Sequence, residues 1–310
     1  MKRKRSLLLS SLMLFAFAMV LTASKPVQAK KVTTYVQTSS KEYHDYDSKF
    51  QLMWKTTSKY DKNGNRIAYS STDYYSSRKG KTTKYKYVYK KNLVQKEYCN
   101  NKLITQYSYD KKGNVLKYKY YNNGKLTGVS TNTYKKGKLV SSVTKKGKRK
   151  TNETTYYSNG NAKQIIWYDE QERVASKASY NKNGNGSTTY YRYDENGTQI
   201  VEGTTTYKVT YKKGVLVKSD TTDVWYGYDE NEEASTTKYQ FTYYTSGYRS
   251  GWIKTERHTF SDGTVTGTDY SYKADSTGKN VAVQTGKDMK SKKVVSKCKY
   301  TYKKFMVTEK

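Results

Sequence analysis

Histidine, cysteine, tryptophan and proline are all scarce in this 310-residue chain, and each scarcity removes a class of function. The two histidines, His44 and His258, are far apart in sequence and do not announce a general base or a metal cluster. The two cysteines, Cys99 and Cys298, cannot make the disulfide framework of a small secreted domain, although one bridge between them stays open. Free thiols are the expectation. Cys298 shares strand parity with Tyr300 and Tyr302, and Cys99 falls at the start of a turn. The single proline, Pro26, lies near the N-terminus.

Catalytic patterns are missing as well. No Gly-x-Ser-x-Gly elbow and no His-Glu-x-x-His motif occurs. The "RKGKTT" stretch at Arg78–Thr83 imitates the end of a phosphate loop, but Tyr75 stands where the upstream glycine belongs. Asp61, Asn63 and Asn65 have the alternate-oxygen spacing of a calcium loop, yet Arg66 replaces its glycine and no glutamate closes it. The acidic run Asp229, Glu230, Glu232 and Glu233 reads as a solvated loop. We therefore expect no enzyme, no cofactor and no metal. A secreted hydrolase with a carboxylate pair that meets only in space is the alternative.

One long hydrophobic run is present, at the start. "MKRKR" is a basic n-region, Leu7–Ala23 an apolar core, and "VQA" before Lys30 a small-residue cleavage site, so residues 1–29 read as a signal peptide. Its removal takes five basic residues and leaves 54 basic against 26 acidic, a net charge of +28. A secreted chain this basic seeks polyanions such as teichoic acids, acidic glycans, anionic lipids or nucleic acid. The expected location is outside the cell, in association with the envelope of a Gram-positive bacterium.

Tyrosine is what the chain has in abundance, with 36 residues. In "KYKYVYK", Tyr85, Tyr87 and Tyr89 fall on one face and Lys84, Lys86 and Lys90 on the other, the period of a half-buried antiparallel strand. Short turns of the form Tyr-x-x-Gly, such as "YNNGKL", predict type I′ hairpins with positive φ at both central residues. The asparagines Asn92 and Asn101 stand in for glycine in two of them. Two-residue loops set register: Tyr121 should face Leu126, Tyr134 Leu139, Tyr211 Leu216, Tyr98 Leu103, Tyr89 Val94 and Phe260 Val265. Longer Tyr-Asp-x-x-Gly turns predict a type I turn closed by a left-handed glycine, with Asp61, Asp110 and Asp194 accepting backbone N–H groups rather than doing catalysis. There Val115 and Val174 fall opposite their tyrosines, while Ile67 and Ile200 are displaced by one. The structural turn glycines are Gly64, Gly113, Gly124, Gly137, Gly160, Gly184, Gly197, Gly214 and Gly263.

The long turns resemble the YD repeats of Rhs-type bacterial surface and toxin-shell proteins, and "YYNNGKLTG" resembles bacterial MORN-type repeats. The resemblance spans roughly residues 60–305 and implies a repeat-built scaffold for surfaces or binding, with no catalytic residues to carry over. Glucan- and choline-binding repeats share the aromatic–glycine rhythm, but their Trp-Tyr-Tyr pattern is missing around Trp54, Trp167, Trp225 and Trp252. The expected fold is all-β, a tyrosine-rich meander of antiparallel hairpins in one elongated or coiled, solenoid-like sheet. Residues 30–59 are expected to be a lead-in or cap, and residues 60–310 the repeat domain. The expected function is a non-catalytic surface or adhesion protein that associates with anionic envelope polymers or glycans. A cationic factor acting on nucleic acid or membrane is a further alternative. Nucleic acid is disfavoured because no recognisable binding module is present. No particular side chains are marked out as the binding face.

Overall fold

The computed structural model describes residues 30–46, 49–75, 80–227 and 233–309; the expected signal peptide lies outside them. Twenty strands follow one another along the chain. The first ten are β1 Lys30–Tyr46, β2 Lys49–Tyr60, β3 Arg66–Asp73, β4 Lys81–Lys90, β5 Leu93–Cys99, β6 Lys102–Tyr109, β7 Val115–Asn122, β8 Lys125–Lys135, β9 Lys138–Lys146 and β10 Arg149–Tyr156. The second ten are β11 Ala162–Tyr168, β12 Val174–Tyr180, β13 Gly186–Tyr193, β14 Gln199–Lys212, β15 Val215–Trp225, β16 Ser235–Tyr243, β17 Ile253–Phe260, β18 Val265–Ala274, β19 Val281–Asp288 and β20 Val294–Glu309. Among the described residues, the one helical element is a single 3-10 turn at Gly247–Arg249.

Each strand pairs antiparallel with its sequence neighbour, and β1 also pairs with β20 from Lys30↔Glu309 to His44↔Ser296. The meander is therefore a closed up-and-down barrel, which corrects the open, solenoid-like sheet expected from sequence. Closure satisfies the backbone groups that two free edges would leave unpaired. Residues 30–59 are corrected too. They form β1 and most of β2, so the supposed cap is the seam of the barrel.

Five of the six expected registers occur: Tyr121↔Leu126, Tyr134↔Leu139, Tyr211↔Leu216, Tyr98↔Leu103 and Tyr89↔Val94. The sixth does not, because Val265 faces Thr259. In that turn Gly263 has positive φ but Asp262 does not, so a type I′ loop cannot form. Phe260 instead takes the first position of a long turn, its N–H bonded to the Thr264 carbonyl at 3.0 Å. Long turns behave as the Asp61 loop does. Asp61 Oδ1 accepts N–H groups from Asn63 at 2.8 Å and Asn65 at 2.9 Å, and Gly64 closes the loop at φ 79°. Asp110 repeats this with Lys112 and Asn114. Tyr109↔Val115 and Tyr168↔Val174 pair directly, while Tyr60 faces Arg66 and Tyr193 faces Gln199, one residue short of the isoleucines.

Sequence reading missed a bulge after each short turn. Gln95, Ile104, Thr127, Val140 and Val217 are each skipped by the ladder. Such bulges sharpen the right-handed twist and curl the sheet toward closure.

The lead tyrosine of a turn also acquires a reason. The hydroxyl of Tyr89 donates to the Arg66 carbonyl at 3.0 Å, Tyr134 to Val115 at 3.1 Å and Tyr193 to Val174 at 3.1 Å. Each ring lies across its neighbour strand and latches the start of that strand. Phenylalanine could cover the same area but could not make the bond.

The barrel wall has two unlike faces. One carries Tyr85, Tyr87, Tyr107, Tyr118, Tyr207, Tyr270 and Tyr272, interleaved with small buried residues such as Ser130, Ser142, Ala178, Thr188 and Thr205. Large rings lie over small neighbours: a Cβ on Gly128 would meet Tyr120 Cδ2 at 3.5 Å and the Lys145 carbonyl at 3.3 Å. Among the described residues, Met53, Ala178, Tyr272 and Val281 are the buried hydrophobics, so packing is spread over a thin wall with no central core. The opposite face carries the lysines.

Candidate polyanion-binding surface

Strand alternation segregates the chain's charge. On the lysine face Lys96 and Lys119 flank Gln106, and Lys119 is followed by Val129, Lys145 and Lys150, each the direct ladder partner of the one before. Lys177, Lys208 and Lys238 lie at mid-strand on the same face. Few carboxylates answer them. Lysines paired with described carboxylates include Lys150 with Glu153, Lys218 with Asp220 and Lys292 with Asp269.

The hairpin "KKGKRK" at residues 145–150 is the densest basic feature in the described chain, and sequence reading passed over it. A run of this kind is itself a polyanion signal. Gly147, at φ 65°, and Lys148 form its loop in the type II′ pattern. The flanking pairs are Lys146↔Arg149 and Lys145↔Lys150, like charges directly opposite one another, which destabilises a ladder.

A groove of about 730 Å³ lies beside this hairpin. Its lining combines Val129, Thr131 and Val143 with Lys145, Gly147, Lys148 and Lys150 and with the carboxylates Glu153 and Glu172. Both carboxylates are already engaged. Glu153 accepts from Lys150 Nζ at 2.8 Å and from the Tyr168 hydroxyl at 2.6 Å. The Lys150 hydrogen bond, then that of Tyr168, hold its carboxyl below the usual range. Glu172 accepts the Lys150 backbone N–H at 2.6 Å. Lys145 and Lys148 are exposed and make no ion pair among the described residues.

Alternation also sorts the turns by end. The end that holds both termini carries Lys91, Lys111, Lys112, Lys136, Lys182 and Lys213, and its carboxylates Asp61, Asp110 and Asp275 are tied into their own turns. The Asp275 carboxyl is lowered to about 2 by hydrogen bonds from Thr277 and Asn280. The other end carries Asp169, Glu170, Glu172, Asp194, Glu195 and Asp262, with Lys148, Arg173 and the stretch Lys290–Lys293 as its basic exceptions. Asp229, Glu230 and Glu232 lie outside the described residues, as do Arg78 and Lys79 of the phosphate-loop imitation.

The two histidines, separate in sequence, occupy matching settings on the tyrosine face. His44 Nε2 lies 2.7 Å from Glu42 Oε1, and His258 Nε2 lies 2.8 Å from Glu256 Oε1. Glu256 also accepts from the Tyr270 hydroxyl at 2.8 Å; His258 first, then Tyr270, hold its carboxyl below the usual range. Each imidazole meets an aromatic ring edge-on, Trp54 at 5.9 Å and Tyr239 at 4.9 Å. The hydroxyl and carboxylate groups here bond one another. Among the described residues no three His, Cys, Asp or Glu side chains converge on a point. Cys99 and Cys298 are free thiols, and burial, with Glu42 nearby, pushes Cys298 up to about 12. The expected turn glycines all adopt positive φ, from 72° at Gly137 to 88° at Gly184.

The fold is thus an all-β, tyrosine-walled barrel. No family model matches the chain, and no curated protein does. Solved structures with some likeness include a chain of the TcdB2-TccC3-Cdc42 crystal structure, at 12% identity and a TM-score of 0.29 over 81% of this chain. This chain spans 17% of that one. Porin-like proteins from Bacteroides uniformis and Bacteroides vulgatus are each 11% identical, with TM-scores of 0.26 and 0.27. Both alignments cover 86% of this chain, and 95% and 99% of theirs. Nothing about activity is taken from likeness at these scores.

Proposed function

We propose that the mature chain is an exported, non-catalytic barrel that binds anionic envelope polymers or glycans on its lysine face. The observation that carries this is the segregation of lysine to one face with so few carboxylates beside it. Electrostatic attraction of this kind is long-ranged and needs no deep pocket. The YD-type and MORN-type reading of the turns belongs to the proposal, as repeat scaffolds offer extended surfaces.

A bilayer is a poorer setting for this wall. No helix among the described residues is long and apolar enough to cross a membrane, which leaves open a crossing by strands. A lipid-facing strand surface, however, needs an apolar band about 25 Å tall. Here Lys119, Lys177, Lys208 and Lys238 stand at mid-strand on one face, and Glu97, Asp223 and Glu256 on the other.

The test is retention on isolated cell walls, with and without teichoic acid, across a salt series. Retention should fall as salt rises, since screening shortens the reach of exposed charge to about 8 Å at physiological ionic strength. Retention that ignores both salt and teichoic acid would reject the electrostatic reading.

A further inference from the structure

Resting on that reading, we infer that the lysine face holds a linear polyanion along one defined track, running across the strands into the groove beside the "KKGKRK" hairpin. The track is the ladder row Lys96, Gln106, Lys119, Val129, Lys145 and Lys150. Neighbouring strands lie about 4.8 Å apart, so Lys96, Lys119 and Lys145 recur at about 9.6 Å. Lys150 then follows one strand on. A small anion could touch only one of these positions. An extended polymer with an anionic group in every repeat touches them in succession.

Lys299, Lys41 and Lys55 also run as an acid-free row, and three observations taken together favour the row from Lys96 to Lys150. It contains no acidic residue, and the two carboxylates at its groove end, Glu153 and Glu172, already accept hydrogen bonds from Lys150 and Tyr168. Its end holds the like-charge pair Lys145↔Lys150, an arrangement that costs stability in the free protein and that a bound anion relieves. It opens into a groove of about 730 Å³ whose lining valines, Val129 and Val143, suit the apolar side of a polymer backbone while Lys145 and Lys148 take its charge.

The experiment uses the mature chain and fluorescently labelled inorganic polyphosphate, long or of only three phosphates, with heparin as a sulfated probe. Three proteins are compared: wild type, the triple variant Lys119→Gln, Lys145→Gln, Lys148→Gln, and a charge-matched control, Lys182→Gln, Lys213→Gln, Lys279→Gln, altered at the other end of the barrel. The track requires long polyphosphate to bind wild type at least tenfold more tightly than triphosphate. It also requires the track variant to lose at least tenfold while the control changes less than threefold. The salt dependence of log K should flatten by about one for each lysine removed from the contact. Equal losses in the two variants, or equal affinity for long and short chains, overturn the track and leave general polyanion binding standing. A wild type that binds neither polyphosphate nor heparin at low salt overturns both. Heparin binding without polyphosphate binding would overturn the charge-spaced track and leave sulfated-glycan binding elsewhere on the lysine face.

Discussion

Lys145 should be a residue whose removal makes the protein more stable and its polyanion binding weaker. It faces Lys150 across the β9–β10 ladder. Cβ atoms of such pairs lie about 5 Å apart, which puts the ammonium groups at about 6 Å. In water that repulsion is about 0.7 kcal/mol, and the Glu153 carboxylate, 2.8 Å from Lys150 Nζ, cancels part of it. At 10 mM salt, where the Debye length is about 30 Å, Lys145→Gln should therefore gain about 0.4 kcal/mol. Lys145→Glu, which turns repulsion into attraction, should gain about 0.8 kcal/mol. At 1 M salt the screening length is about 3 Å and both gains should vanish. Urea midpoints at the two salt concentrations measure this, with polyphosphate affinity of the same variants measured alongside. A Lys145→Glu protein that is less stable than wild type at low salt, or whose gain survives 1 M salt, would refute the like-charge argument. It would also remove the strain that the proposed track relieves.

Other outcomes test the wall and its turns. Gly124 has φ 79°, and a Cβ there would meet no atom within 4 Å, so Gly124→Val should cost about 1–2 kcal/mol from backbone conformation alone; an unchanged urea midpoint would exclude the type I′ turn. Tyr134→Phe should lose about 1 kcal/mol with its bond to the Val115 carbonyl, whereas Tyr211→Phe, half exposed and without such a latch, should be neutral. Equal effects would show that the hydroxyl bond contributes nothing. Glu256 has a depressed folded-state carboxyl, so its stabilisation is complete above about pH 4.3 and is lost as pH falls through the folded value. Glu256→Gln should therefore decline less steeply with acid than wild type in urea melts between pH 3 and 6, and parallel curves would contradict the pairing. Cys298, its thiol pushed up to about 12 by burial and by Glu42, should resist iodoacetamide at pH 8 until the protein is unfolded. Peptide mapping that finds rapid labelling of native Cys298 would contradict its burial.

Features that depend on a few adjacent residues were legible in the sequence. Alternation in "KYKYVYK" set the two faces of β4, and Asn123-Gly124 set a two-residue loop and with it the Tyr121↔Leu126 register. The Asp61 and Asp110 turns could be read for the same reason, since their hydrogen bonds close within five residues. Where local chemistry was ambiguous the reading slipped: Phe260-Ser-Asp-Gly resembles a short turn by spacing, but Asp262 stays out of the left-handed region that Asn123 adopts. Closure came from long-range pairing alone. The ladder between β1 and β20 joins residues at opposite ends of the chain, and no turn motif within residues 30–59 marks β1 as the partner of any strand. The lysine track was hidden for the same physical reason. Lys96, Lys119, Lys145 and Lys150 become neighbours only when several registers, with their bulges, are laid side by side. A period-two pattern says which face a lysine takes; the ladder between strands says which lysines share a row.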